Sequence, residues 1–160
     1  MSGERSKPTY AVDSNILVWA VKEKGPAEQI RRAKLLFREF NEKKANIIVP
    51  AIVLAEYLTD IDPNDHDRQI QEASRSFLIF PFDVRCASLA AKLFKMGDAG
   101  RQKGTAEGRK CLRADSLIVA TAKIHGATVL YSHDKRCRIL AEKIGMTAKD
   151  LPSFAEKLFE

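Results

Sequence analysis

Residues 114–134, ADSLIVATAKIHGATVLYSHD, change their apolar period partway along. Ile118, Val119 and Ala122 follow Asp115 at steps of three, four and seven, which predicts a helix over 112–125. Gly126 stops that pattern, and ATVLY over 127–131 is a short apolar run without alternation. Such a run suits a strand covered on both faces. Asp134 then opens a further helical pattern that reaches residue 144. A helix, a doubly buried strand and a helix in one block imply an α/β arrangement.

The same grammar extends toward the N-terminus. TYAV over 9–12 is a short β-prone run ending at Asp13-Ser14-Asn15, and NILVWAVKEK is helical as far as Gly25-Pro26. Across 27–44, Ile30, Ala33, Leu36, Phe37 and Phe40 keep helical spacing. A buried strand is expected over 46–49, with Pro50 in the first turn of a helix that carries AIVLAEYLT and ends near Asp62-Pro63. A more polar helix over 65–77, a strand at LIFPF and a helix from Asp83 to Met96 follow. GDAGRQKGTAEGR, residues 97–109, has glycines and charges without a period and reads as a mobile loop. A last helix is expected to close the chain at Phe159. These elements predict a three-layer α/β/α sandwich around a short parallel sheet, with residues 1–8 a flexible lead-in and 9–160 one domain.

Composition narrows the partners. Lys and Arg number 27 against 21 acids, for a net charge of +6 and a pI near 9.3, a balance that favours polyanions. No apolar stretch approaches the roughly 20 residues of a membrane helix, and MSGERSKPT has no apolar region behind it that would make a secretory signal. Cys86, Cys111 and Cys137 are odd in number and far apart, which fits a reducing, cytoplasmic setting. His133 and Cys137 sit four apart, but no second paired motif completes a zinc site. Trp19 and Tyr57 read as core or interface residues, and no exposed aromatic run marks a base-stacking platform.

Four acids stand out. Asp13 and Asp134 follow strand ends, where ligands gather in parallel sheets, and both also suit the N-cap of the next helix. The two roles are compatible. Glu56 lies three and four residues after Val53 and Ile52, on an apolar helix face, where it either snorkels to solvent or meets a cation. Asp115 is the one charge in ADSLIVATA, and either a helix-dipole or a metal role fits it. Carboxylates gathered together repel unless a cation lies between them, and an all-carboxylate set suits Mg²⁺ or Mn²⁺.

Read in order, VDSNIL, PAIVLAEYL and RADSLIVATAKIHGATVLYSHD resemble the PIN-domain family of ribonucleases over about residues 10–145. The resemblance implies that Asp13, Glu56, Asp115 and Asp134 are metal-binding catalytic acids, with Asn15 and Ser132 as supporting polar residues. It implies hydrolysis of RNA by a metal-activated water, leaving a 5′-phosphate and a 3′-hydroxyl. The compact size resembles VapC-type toxins of toxin–antitoxin pairs, which implies an antitoxin protein and a homodimer. Many relatives carry a further Asp two positions after the fourth acid; here that position is Arg136, which puts a second metal in doubt. Arg101, Lys103, Arg109, Lys110 and Arg113 precede Asp115 and form either a clamp on substrate phosphates or a solvated loop.

Two rivals remain at this level. One is a PIN-like binding or scaffold module without cleavage. The other is an Asp-based phosphatase or phosphotransfer domain, but its D-x-D pattern would need an acid where Asn15 stands.

Overall fold

The computed structural model describes residues 6–99 and 105–154. Five parallel strands form one sheet in the order β3-β2-β1-β4-β5. They are β1 (Thr9–Val12), β2 (Asn46–Pro50), β3 (Leu78–Phe80), β4 (Val129–Tyr131) and β5 (Thr147–Lys149). Because successive strand residues point to opposite faces, each central strand feeds two cores. Tyr10, Val12, Ile47, Val49 and Tyr131 pack on one face, while Ala11, Ile48 and Leu130 pack on the other.

The first face is covered by α1 (Ser14–Leu17), α2 (Ala27–Glu42) and α3 (Ala51–Leu58), and α4 (His66–Ser76) follows behind a 3₁₀ turn at Pro63–Asp65. Helix α1 runs directly into a π-helical stretch, Val18–Lys22. The periodic positions of the long helix behave as expected: Ala33, Leu36 and Phe40 are buried. Phe40 meets Tyr10 and Tyr131 at ring-centroid distances of 5.4 and 5.1 Å. The second face is covered by α5 (Val84–Ala99), α6 (Ala106–Ile124) and α7 (Lys135–Glu142), whose buried residues include Cys86, Leu93, Val119, Cys137 and Leu140. The expected three-layer α/β/α architecture is therefore present. Among the described residues, no helix is long and apolar enough to cross a membrane.

Several boundaries differ from the sequence reading. The described residues of the expected loop over 97–109 are helical but for Thr105: α5 runs to Ala99 and α6 begins at Ala106. Gly97 is not a loop residue; a Cβ there would lie 2.5 Å from Leu112 Cδ1, so the glycine permits close approach of α5 and α6. Thr105 caps α6 by accepting the Gly108 N–H at 3.1 Å. Pro50 closes β2 and precedes α3, and that helix ends at Leu58, short of Asp62. Pro81 follows the shortened β3. Residues 147–149, to which the sequence reading gave no element, form β5 on the sheet edge. The expected close of the last helix at Phe159 lies outside the described residues, as do residues 1–5 of the lead-in.

Ile48 sits fully buried in the middle of the sheet, whereas Val84 is 88% exposed at the start of α5. Ile48→Ala is expected to lower unfolding free energy by about 2–5 kcal/mol in urea titration. Val84→Ala should stay within about 0.5 kcal/mol of the parent. Equal losses at both positions would contradict the core assignment.

Candidate active site

Chain order departs from spatial order at one place. The path steps from β1 to β2 to β3, then returns through α5 and α6 to place β4 on the other side of β1. Adjacent strands β1 and β4 therefore send their following segments to opposite sides, which opens a crevice at their carboxyl ends. Asp13 leaves β1 and Ser132 and Asp134 leave β4 at this crevice, and the Asp13 N–H still bonds the Tyr131 carbonyl at 3.0 Å.

Asp13 is buried, with 9% exposure. Its Oδ1 accepts the Ser14 N–H at 2.7 Å, and its Oδ2 accepts the Ser132 hydroxyl at 2.7 Å. The Ser132 hydroxyl in turn accepts the Asp134 N–H at 3.1 Å. Burial pushes the Asp13 carboxyl above the ordinary carboxylate range; the bonds from Ser132 and Ser14 oppose this, and the negative charge of Asp134 adds to it. The expected capping role is also real, since Asp13 caps α1 and Asp134 caps α7 by accepting the Arg136 N–H at 2.9 Å. Capping leaves carboxylate lone pairs free, because each ionised group offers about four acceptor sites.

Glu56 is not on a buried face; it is exposed. The buried side of α3 is Val53, Leu54, Tyr57 and Leu58, and an octamer so apolar offers no polar face from which to judge direction. Glu56 instead accepts a hydrogen bond from the Ser14 hydroxyl, which ties it to the residue beside Asp13. Asp115 is half-buried on α6. Burial, and after it the charges of Asp13, Asp115 and Asp134, hold the Cys137 thiol far above its usual range. Among the described residues, no three of the four carboxylates place oxygens within 4.8 Å of one another.

The supporting residues divide. Ser132 is fully buried at the centre of the network, and Asn15 is exposed on α1. Sequence reasoning passed over Ser14, although the D-S-N triplet had put a hydroxyl next to the first acid. Arg109, Lys110 and Arg113 are exposed, but on α6 rather than in a loop. Arg109 pairs with Asp98 at 3.6 Å, and the Arg113 guanidinium lies 4.7 Å from the Phe94 ring centre. Arg101 and Lys103 lie outside the described residues. His133 and Cys137 do not form a metal pair, since the ring bonds Asp150 at 2.8 Å and Cys137 is sealed in the core. Trp19 meets His133 edge-on at 5.3 Å, and Tyr57 is buried beneath Lys22.

Known proteins share this fold. No curated protein sequence matches the chain. Among solved structures, FitAB bound to an IR36 DNA fragment is similar at a TM-score of 0.63 and 19% identity, covering 91% of this chain and 99% of that one. DNA-bound VapBC from Salmonella typhimurium reaches 0.60 at 16% identity, covering 89% and 98%. VapBC2 from Rickettsia felis, bound to a DNA fragment from its promoter, reaches 0.56 at 20% identity, covering 90% and 99%. At these identities the likeness establishes the fold. A sequence profile of the PIN domain matches residues 10–143, and with that match the chain belongs to the PIN-domain family, whose members are generally nucleases.

Proposed function

We propose that the chain is a divalent-metal-dependent endoribonuclease and the toxin half of a toxin–antitoxin pair. The observation that carries this reading is Asp13, a buried carboxylate at the joined ends of β1 and β4 that burial and the negative charge of Asp134 both push upward. An ion pair would neutralise such a group, yet the partners it has are two serine hydroxyl or amide donors and further negative charge. A cation offsets that arrangement better than water does.

The donor set is entirely oxygen, which suits Mg²⁺ or Mn²⁺. Asp13, Asp115, Asp134 and Glu56 would hold the ion. When bound, it supplies positive charge for the scissile phosphate and a nucleophile at neutral pH. Ser132 fixes Asp13 against the segment bearing Asp134, and Ser14 directs Glu56 toward the same crevice. Asn15, exposed one residue further on, is positioned to orient an attacking water or a phosphate oxygen. Lys110 and Arg113, three apart on the exposed side of α6, engage the backbone of the substrate together with Arg109. Arg136, exposed in the first turn of α7, supports a single-ion site because it adds positive charge where many relatives place an acid.

A toxin–antitoxin complex from Klebsiella pneumoniae is among the similar structures, which supports an antitoxin partner for this chain; the homodimer rests on the resemblance to VapC-type toxins. Three free cysteines support a reducing, cytoplasmic setting.

Two measurements test this reading. Labelled RNA incubated with Mn²⁺ or Mg²⁺ should be cut by the parent, and Asp13→Asn or Asp115→Asn should slow cutting on the order of 100-fold or more. Chelator should abolish the cleavage and Mn²⁺ restore it. Equal cleavage by all three proteins would identify a contaminant.

The second measurement uses stability. Asp13 titrates higher in the folded than in the unfolded chain, so its contribution is best below the unfolded value of about 4 and is lost as pH rises through the folded value. Without metal at neutral pH, Asp13→Asn should therefore melt above the parent, and the gap should close toward pH 4. Mn²⁺ should raise the parent's melting temperature and leave that of Asp13→Asn nearly unchanged. A variant that melts lower than the parent at neutral pH would refute the burial cost assigned to Asp13.

A further inference from the structure

A second group of donor atoms lies at the other end of α6. His125 caps the C-terminus of that helix, ten residues after Asp115, which is about 15 Å along the helix axis. Its imidazole stacks on Phe80 at 4.4 Å with the rings 6° from parallel, and its side chain is 8% exposed. Three other electron-pair donors converge on Nε2: the Pro81 carbonyl at 3.1 Å, Asp83 Oδ2 at 3.4 Å and Cys86 Sγ at 3.9 Å. Asp83, Cys86 and His125 each bring one ligand atom within 4.8 Å of the other two.

Hydrogen bonding accounts poorly for this convergence. A neutral imidazole carries one proton at Nε2 or none, and one N–H serves one acceptor fully. Here a carbonyl, a carboxylate and a thiol share it. The spacings resemble the edges of a ligand tetrahedron instead. Zinc bonds of about 2.0–2.3 Å to nitrogen, oxygen and sulfur leave neighbouring donors roughly 3.3–3.6 Å apart. Asp83 is already oriented for such a role, because its Oδ1 caps α5 by accepting the Arg85 and Cys86 N–H groups at 3.0 and 3.2 Å. That leaves Oδ2 facing His125 and shared with Arg85, and the Asp83 side chain, 30% exposed, gives an ion access from solvent.

We propose that Asp83, Cys86 and His125 form a transition-metal site, with Zn²⁺ as the ion its thiolate and imidazole select, separate from the acidic crevice. The Pro81 carbonyl or a water completes the coordination. Binding displaces the Cys86 thiol proton to solvent and leaves a thiolate on the metal. The ion fastens the end of β3 and the first turn of α5 to the end of α6.

Cobalt(II) is the probe, added to the reduced, full-length protein. A thiolate-to-cobalt charge-transfer band should saturate at one equivalent and disappear on adding Zn²⁺. It should persist in the Asp13→Asn/Asp115→Asn double variant and in Cys137→Ser, and vanish in Cys86→Ser. Asp83→Asn and His125→Gln should each weaken cobalt binding by about tenfold or more. Because Cys86 is fully buried and its variant can misfold, Asp83→Asn serves as the decisive second arm. Absence of the band, its survival in Cys86→Ser, or unchanged affinity in folded Asp83→Asn would overturn the proposal. None of these results bears on RNA cleavage, so the two sites are judged independently.

Discussion

A carboxylate taken out of water at the end of β1 constrains much of what surrounds it. The cost of burying a charge falls on the fold unless donors or a counter-ion offset it. Asp13 has one hydroxyl and one amide donor, and both come from segments whose positions it thereby fixes. The Ser132 hydroxyl is the pivot. It gives its proton to Asp13 and takes the Asp134 amide, so one buried oxygen joins the ends of β1 and β4. Loss of that hydroxyl would leave a buried carboxylate and an amide without their shared partner, a larger penalty than one ordinary hydrogen bond.

Topology explains why Asp13 and Asp134, so distant in sequence, are joined through one serine. The strand order reverses at β1, and the two central strands there end side by side. Asp13 and Asp134 are the first positions beyond those ends able to cap the next helix, so the cap and the site draw on the same two residues. Helix α6, which carries Asp115, covers the second face, and α3, whose Glu56 accepts the Ser14 hydroxyl, covers the first.

Sequence periodicity captured the layers because each depends on apolar residues repeating over many positions. Ala33, Leu36 and Phe40 announce α2, and the run at 127–131 announces β4. Features resting on one contact were harder to read. Gly97 looked like a loop residue because its reason for being glycine is Leu112, fifteen positions away. The strand β5 has only three residues, with alternate positions exposed, and its pairing with β4 is its main support. The acids were legible as anomalies of composition, but the direction of Glu56 was not. An almost wholly apolar helix has no polar side to compare with, and only the bond from Ser14 shows which way the glutamate turns.

Helix α6 also separates two kinds of coordination chemistry. Near its middle stands Asp115, which the proposed function joins to carboxylate and hydroxyl oxygens, the donors hard divalent ions prefer. At its end, His125 meets a thiol and a single carboxylate, a mixture that ranks zinc far above magnesium. Selectivity between ions in one protein comes from such differences in donor type and geometry more than from raw affinity. The Cys137 thiol lies close enough to the acidic crevice to feel three of its carboxylates, yet it is sealed in the apolar core and holds its proton. Its burial withholds a soft donor from the acids, and the soft donors of the proposed zinc site stand at the far end of the helix.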